Sequence, residues 1–176
     1  MPFGYRNYKN KQRAKAHTAL VTTEAAMISP EIYLSSLHLN QTYWACADGS
    51  ADKAVQFLFT PNGRLQLGAL ELVGRDQIER FFTDRACENQ KLARMTRHFS
   101  SGFAPEVLSV GRLLVKSLVI VFAGSGSLPL PSDTPSTIAD VEDVMVLSPT
   151  GEWLFESRLI RPVFVGTSAA KFAQRT

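Results

Sequence analysis

A chain of 176 residues, 45% hydrophobic and 10% aromatic, is long enough to bury one sizeable core. Its apolar run "LLVKSLVIVFAG" is interrupted by Lys116 and falls short of the ~20 residues that a bilayer-spanning helix needs, so no membrane partner is expected. The net charge of +3 sits at the start of the chain: Arg6, Lys9, Lys11, Arg13 and Lys15 precede the first acidic residue, Glu24, and without them 14 basic residues face 16 acidic ones, a formal −2. That distribution argues against a nucleic-acid partner and for a basic, flexible arm over 1–28.

Cys46 and Cys87 lie far apart, with no CxxC and no histidine at ligand spacing, which points to reduced thiols, a cytoplasmic setting and no structural metal. After the arm, "SPEIYLSSLHLNQTYWACADG" carries helix punctuation at both ends: Ser29 as N-cap, Pro30 and Glu31 in the first turn, Gly49 at the close. A first helix is expected over 30–48. Ser50 offers a second cap, and Ala51, Ala54, Val55, Leu58 and Phe59 repeat at helical spacing, so a second helix is expected there. "TPNG" at 60–63 is turn chemistry, and the alternation of Leu65, Leu67, Ala69 and Val73 with polar residues predicts a strand. Ile78, Phe81, Phe82 and Arg85 mark a third helix.

Strand-like segments follow at 92–101, 107–123, 139–147 and 153–165. "SPTG" at 148–151 is short enough for a hairpin turn. The Gly/Ser/Pro stretch at 124–137 is expected to be a long mobile loop. Helices first and strands after indicate an α+β fold, three N-terminal helices on one face of a strongly curved antiparallel sheet. The domain should span 29–166, with 167–176 as a C-terminal tail. On the 107–123 strand, Val115, Val119 and Val121 face one way and Leu114, Leu118, Ile120 and Phe122 the other, beside Lys116. Helices can cover one side only, so the second set is expected to form a homodimer interface.

In "MTRHFSSG", at 95–102, alternation puts Arg94, Thr96, His98 and Ser100 on one face of a strand. That face is too polar for an ordinary core and suits a cavity wall. Of the other histidines, His17 lies in the arm and His38 on the expected solvent side of the first helix. "GSGS" at 124–127 leads into a Pro-rich loop rather than a helix bearing a lysine, so it is no phosphate loop. No serine or cysteine nucleophile motif is present.

The run "YWACADGSADKAVQFLFTPNGRLQL", with "LVGRDQIERFF", "TRHFSSG" and "ADVEDVMVLSPTGEWLFESRLIRPVF" after it, resembles the SnoaL-like branch of the nuclear transport factor 2-like superfamily, the cystatin-like α+β cones. The resemblance covers about 32–166 and rests on the order of these motifs. Asn62 stands where many members have Asp. It implies a mostly apolar pocket between helices and concave sheet. In members similar to scytalone dehydratase and bile-acid dehydratase, a Tyr and an Asp late in the first helix oppose a strand His. Here these are Tyr43, Asp48 and His98, the implied catalytic set. Leu67 stands where a strand tyrosine is found in scytalone-dehydratase-like enzymes, and 115–121 holds no second histidine, only Lys116 and Ser117.

A histidine beside a carboxylate in a dry pocket has its tautomer fixed and its basicity raised, and it can move a proton between carbon and oxygen without metal or cofactor. Such chemistry suits dehydration, isomerisation or aldol-type cyclisation of a hydrophobic, oxygenated substrate, of polyketide, steroid or aromatic type. Trp44, Phe81, Phe82 and Thr96 are the expected substrate-binding walls. Arg158 and Arg161 face opposite ways. Arg158 is the candidate to grip a substrate carboxylate or phenolate, although a salt bridge to Glu142, Asp143 or Glu156 is favoured for either arginine. The competing reading is a non-catalytic binding or dimerisation module of the same fold, or a structural subunit similar to the β-subunits of ring-hydroxylating dioxygenases.

Overall fold

The computed structural model describes residues 28–51, 53–131 and 133–171, so the basic arm expected over 1–28 falls, but for Ile28, outside the described residues. Helix α1, Pro30–Ala47, begins and ends where its punctuation predicts: the Ser29 side chain accepts from the Ile32 N–H at 3.3 Å, and Asp48 is the C-cap, followed by Gly49 at φ 69°. Its buried residues Ser36, Leu39, Asn40, Tyr43, Trp44 and Ala47 recur every three or four positions. That spacing makes one stripe, which faces the sheet.

The second predicted helix does not form. Val55–Leu58 is a single 3₁₀ turn, and strand β1, Phe59–Leu67, follows it directly. Val55, Leu58 and Phe59 meet helical spacing, but Pro61 favours an extended residue before it and cannot sit inside a helix. The "TPNG" turn is likewise absorbed into β1, as a register shift between Phe59 and Arg64 against its neighbour. Gly63 permits that shift, since a Cβ there would lie 2.9 Å from the Phe59 Cβ. Among the described residues the fold therefore has two α-helices rather than three.

Strand β2, Leu70–Val73, pairs back on β1 and leads into helix α2, Arg75–Lys91. The remaining strands are β3, Arg94–Ser109, β4, Arg112–Ser125, β5, Thr137–Leu147, and β6, Trp153–Val165. The segments expected at 92–101 and 107–123 are thus divided differently. Strand β3 runs through the interval between them, and a turn at Val110 and Gly111, the latter at φ 70°, separates it from β4. The sheet order is β2-β1-β6-β5-β4-β3. Four of these pairings are antiparallel, but β1 and β6 run parallel. The expectation of a wholly antiparallel sheet is corrected at that pair, because the crossover joining chain-distant strands leaves no trace in local alternation. Ser148–Gly151 forms the expected hairpin turn between β5 and β6, with the Ser148 N–H on the Glu152 carbonyl at 2.8 Å.

Helix α1 packs on β3 and β6, and α2 on β1, β2 and β3. Leu65, Val115, Met145 and Phe155 are fully buried between them. On β3, Thr96 is buried and His98 and Ser100 half-buried, whereas Arg97, Phe99 and Ser101 are exposed. The face read from alternation is the face turned to the helices.

Candidate active site

The stripe of α1 continues through its C-cap. Asp48, one turn beyond Trp44, leans onto β3, where Oδ1 lies 2.6 Å from His98 Nδ1 and accepts from the Thr96 hydroxyl at 3.0 Å. Oδ2 accepts from the His98 backbone N–H at 2.9 Å. One carboxylate therefore holds the histidine by ring and backbone. Trp44 stacks on the other side of that ring, with centroids 4.8 Å apart and planes 19° from parallel. With Nδ1 engaged, Nε2 is left as the ring nitrogen without a hydrogen-bond partner among the described residues.

His98 forms part of the wall of a cavity of about 330 Å³, a size that suits a small organic ligand. Tyr43, Trp44, Phe81, Phe82 and Thr96 also line it, and Leu67, Val119 and Ile160 add aliphatic wall from the sheet. Asp48 does not reach this cavity. It stands behind His98, on the wall of a neighbouring cavity of about 450 Å³ that shares Phe82, Arg85, Arg94 and Thr96 with the first. Ser100 is not on the wall either, since it accepts a hydrogen bond from Asn40 Nδ2 at 3.1 Å. Residues 167–171, expected as tail, contribute Ala169, Ala170 and Lys171 to the lining.

Burial pushes the His98 imidazole below its ordinary value. The Asp48 hydrogen bond and charge oppose this, and the Arg85 and Arg158 charges reinforce it. The net direction reverses the raised basicity expected of a histidine beside a carboxylate, because the dry surroundings, with two cations adding to them, outweigh one anion. Burial alone would raise the Asp48 carboxyl, but hydrogen bonds from the His98 ring and backbone and from Thr96, with the histidine's charge, hold it below the usual carboxylate range. The pair thus rests as carboxylate and neutral imidazole. Tyr43 is pushed up to about 12 by burial, so its phenol stays protonated. It packs edge-on against Trp44, Phe59, Phe82 and Phe155, and its hydroxyl has no hydrogen-bond partner among the described residues.

Arg158 is not on the cavity wall, and its expected place there is corrected. It lies fully buried beneath Tyr43 and Trp44, with Nε and Nη2 on the two Asp143 carboxylate oxygens at 2.9 and 3.0 Å and Nη2 also on Asn40 Oδ1. Asp143 is among the three acids foreseen for it. Arg161 points the other way, exposed and 3.9 Å from Glu142, and Glu156 pairs with Arg112. A chain Asp143–Arg158–Asn40–Ser100 thus ties β5, β6, α1 and β3 together behind the site.

Arg94 lies on the strand face expected to line a cavity, whereas Arg85 was marked in the sequence only as a position of the helical stripe. Arg85 on α2 and Arg94 on β3 line both cavities, and Arg85 Nη2 lies 3.4 Å from the Thr96 hydroxyl oxygen. The signal for Arg85 was its position on the apolar stripe Ile78, Phe81, Phe82, where a solvated cation has no reason to sit. Among the described residues, no three His, Cys, Asp or Glu side chains gather as a metal site, and no helix is long and apolar enough to cross a membrane.

A curved six-stranded sheet with two helices closed over its concave face is a cystatin-like fold, the fold that the motif order implied. ActVI-ORFA from Streptomyces coelicolor shares it, at 20% identity and a TM-score of 0.67 over 78% of this chain and 99% of that one. A protein from Novosphingobium aromaticivorans, provisionally assigned as scytalone dehydratase, is 17% identical with a TM-score of 0.62, over 78% of this chain and 91% of that one. A Nostoc punctiforme protein of unknown function with a cystatin-like fold is 18% identical, TM-score 0.62, over 81% and 96% of the two chains. No protein-family model matches the chain, and no curated protein matches it. At these identities the likeness is one of fold.

Proposed function

We propose that the protein is a cofactor-independent acid–base enzyme, a dehydratase, isomerase or cyclase, acting on a hydrophobic oxygenated small molecule of polyketide, steroid or aromatic type. The observation that carries this reading is the 2.6 Å contact between Asp48 Oδ1 and Nδ1 of His98, the residue on the cavity wall that Asp48 backs. Asp48 fixes the proton on Nδ1 and leaves the Nε2 lone pair for the substrate. A lowered imidazole is neutral near pH 7, the form that a base needs.

In a dehydration, Nε2 takes the proton from the carbon next to a carbonyl, and the electron pair moves onto the carbonyl oxygen as an enolate. The enolate then collapses to a carbon–carbon double bond while the β C–O bond breaks, and the imidazolium returns its proton to the departing oxygen, releasing water. Isomerisation returns the proton to carbon instead, and cyclisation directs the enolate carbon onto a second carbonyl. The Tyr43 hydroxyl, protonated and with no hydrogen-bond partner among the described residues, is the donor suited to the enolate oxygen. Trp44, Phe81, Phe82 and Thr96 shape the walls. The solved structure assigned provisionally as scytalone dehydratase lends the dehydratase reading support by analogy.

The test is turnover on a panel of hydroxylated polycyclic ketones by wild type and His98→Ala. The variant is expected to lose about 10²–10⁴-fold in kcat while folding normally. An active wild type matched by the variant would refute the assignment.

A further inference from the structure

The least explained charge in the protein is the Arg85 guanidinium. It is half-buried between the two cavities, over the edge of an aromatic wall, with its Cζ 6.0 Å from the Phe82 ring centroid. Among the described residues no carboxylate lies within 4 Å of it, and its one hydrogen bond is the long contact to the Thr96 hydroxyl oxygen. That hydroxyl gives its proton to Asp48, and Asp48 is itself engaged by His98. Arg94, also on the wall, donates to the Ser168 carbonyl at 2.7 Å and likewise has no acidic partner among the described residues. Lys171 adds a third cation to the lining, against a single carboxylate there, the exposed Glu88.

Desolvating a guanidinium costs free energy that an opposite charge normally offsets. The fully buried Arg158 shows the usual solution, matched by Asp143. Arg85 has no carboxylate in contact among the described residues, Asp48 acting on it only from a distance, and it opens onto an apolar space. A fork of N–H donors in that position recognises an oxyanion.

We propose that the cavity takes a ligand bearing an anionic oxygen, a carboxylate or an ionised phenol on an otherwise apolar skeleton, and that Arg85, supported by Arg94, binds that group. The inference rests on the cavity being a ligand site and narrows the substrate class of the proposed enzyme to acids or phenols. It moves the anion-gripping role from the buried Arg158 to α2. The anion then sits at the α2 side of the cavity, with the rest of the skeleton lying along the aromatic wall toward His98.

Binding can be read without turnover, by calorimetry with naphthoate against its neutral isostere naphthamide, and with ionised nitrophenol against nitroanisole. Wild type is expected to prefer the anion of at least one pair by about tenfold or more; the pair that shows the preference identifies carboxylate or phenolate. Arg85→Gln should bring the two members of that pair within about twofold while leaving the neutral ligand's affinity unchanged, and His98→Ala should keep the preference. Should Arg85→Gln fail to fold, Arg85→Lys must retain the preference for the anion in weakened form, and loss of affinity for both members alike would overturn the proposal. No anion preference in wild type, no binding of any anion at millimolar concentration, or a preference that survives Arg85→Gln would overturn it as well. Failure of the acid–base reading appears elsewhere, as activity that survives His98→Ala, so the two are separable.

Discussion

Replacing Asp48 by Asn keeps the side chain's size and removes its charge and one acceptor. The carboxylate accepts from the His98 ring at 2.6 Å and Thr96 at 3.0 Å on one oxygen, and from the His98 backbone at 2.9 Å on the other. An amide has one acceptor oxygen. If that oxygen stays toward the ring, its NH₂ meets the His98 backbone N–H, donor against donor. If the amide flips, the NH₂ faces Nδ1 and forces the ring proton onto Nε2, turning the proposed base into a donor. Both side chains of the pair are only 8% exposed, so solvent repairs neither arrangement. A buried donor left unsatisfied costs about 1–3 kcal/mol, and a loss of about 2 kcal/mol in a domain of this size lowers Tm by roughly 4–8 °C. Thermal melts give the first quantity, and nitrogen-edited NMR of the His98 ring gives the tautomer. A variant that melts within about 1 °C of wild type, with its proton still on Nδ1, would refute the claim that Asp48 holds the ring.

Acidification should destabilise the fold in two stages. Burial lowers His98, so the unfolded chain takes up the ring proton more readily; the contribution is whole above the ordinary 6.5 and is lost as pH falls through the folded value. Asp48, also lowered, adds a second loss below its ordinary 3.8; a Tm that rises on acidification from pH 6.5 would contradict the first sign, and one that rises below pH 3.8 the second. Arg158→Ala leaves Asp143 buried without its partner and should cost about 3–5 kcal/mol in denaturant unfolding; a loss below about 1 kcal/mol would show that the pair is not closed. Phe99, Ile120, Ile138 and Phe164 are register partners in one row across β3, β4, β5 and β6, on the face away from the helices. We expect a homodimer through that row, broken by Ile120→Glu, and light scattering that finds wild type monomeric at micromolar concentration would refute it.

The elements that positioned the dyad were legible because their signals are local. Ser29, Pro30 and Gly49 bracket α1, and alternation in "TRHFSS" assigns His98 to the helix side of β3. Tertiary features were not. The spacing of Val55, Leu58 and Phe59 fits a helix as well as a 3₁₀ turn entering a strand, and only Pro61 decides between them. The parallel β1–β6 pairing is set by which chain-distant strands meet. His98 was read as raised because the sequence suggested Asp48 as its one neighbour; the depth of its burial, reinforced by Arg85 and Arg158 brought close by α2 and β6, reverses the direction. Arg85 itself passed as one more position of a helical stripe.

The central claim is that His98 moves a proton between its free ring nitrogen and a carbon beside a carbonyl. Incubation in D₂O with hydroxylated polycyclic ketones, followed by mass spectrometry or proton NMR, reads that transfer whatever the final product. The account predicts deuterium uptake at the carbon next to the carbonyl with wild type, reduced by about 10²–10⁴-fold in His98→Ala with the melting temperature kept. Exchange that proceeds equally well in a folded His98→Ala variant, or a ligand that binds wild type yet never exchanges, would contradict it.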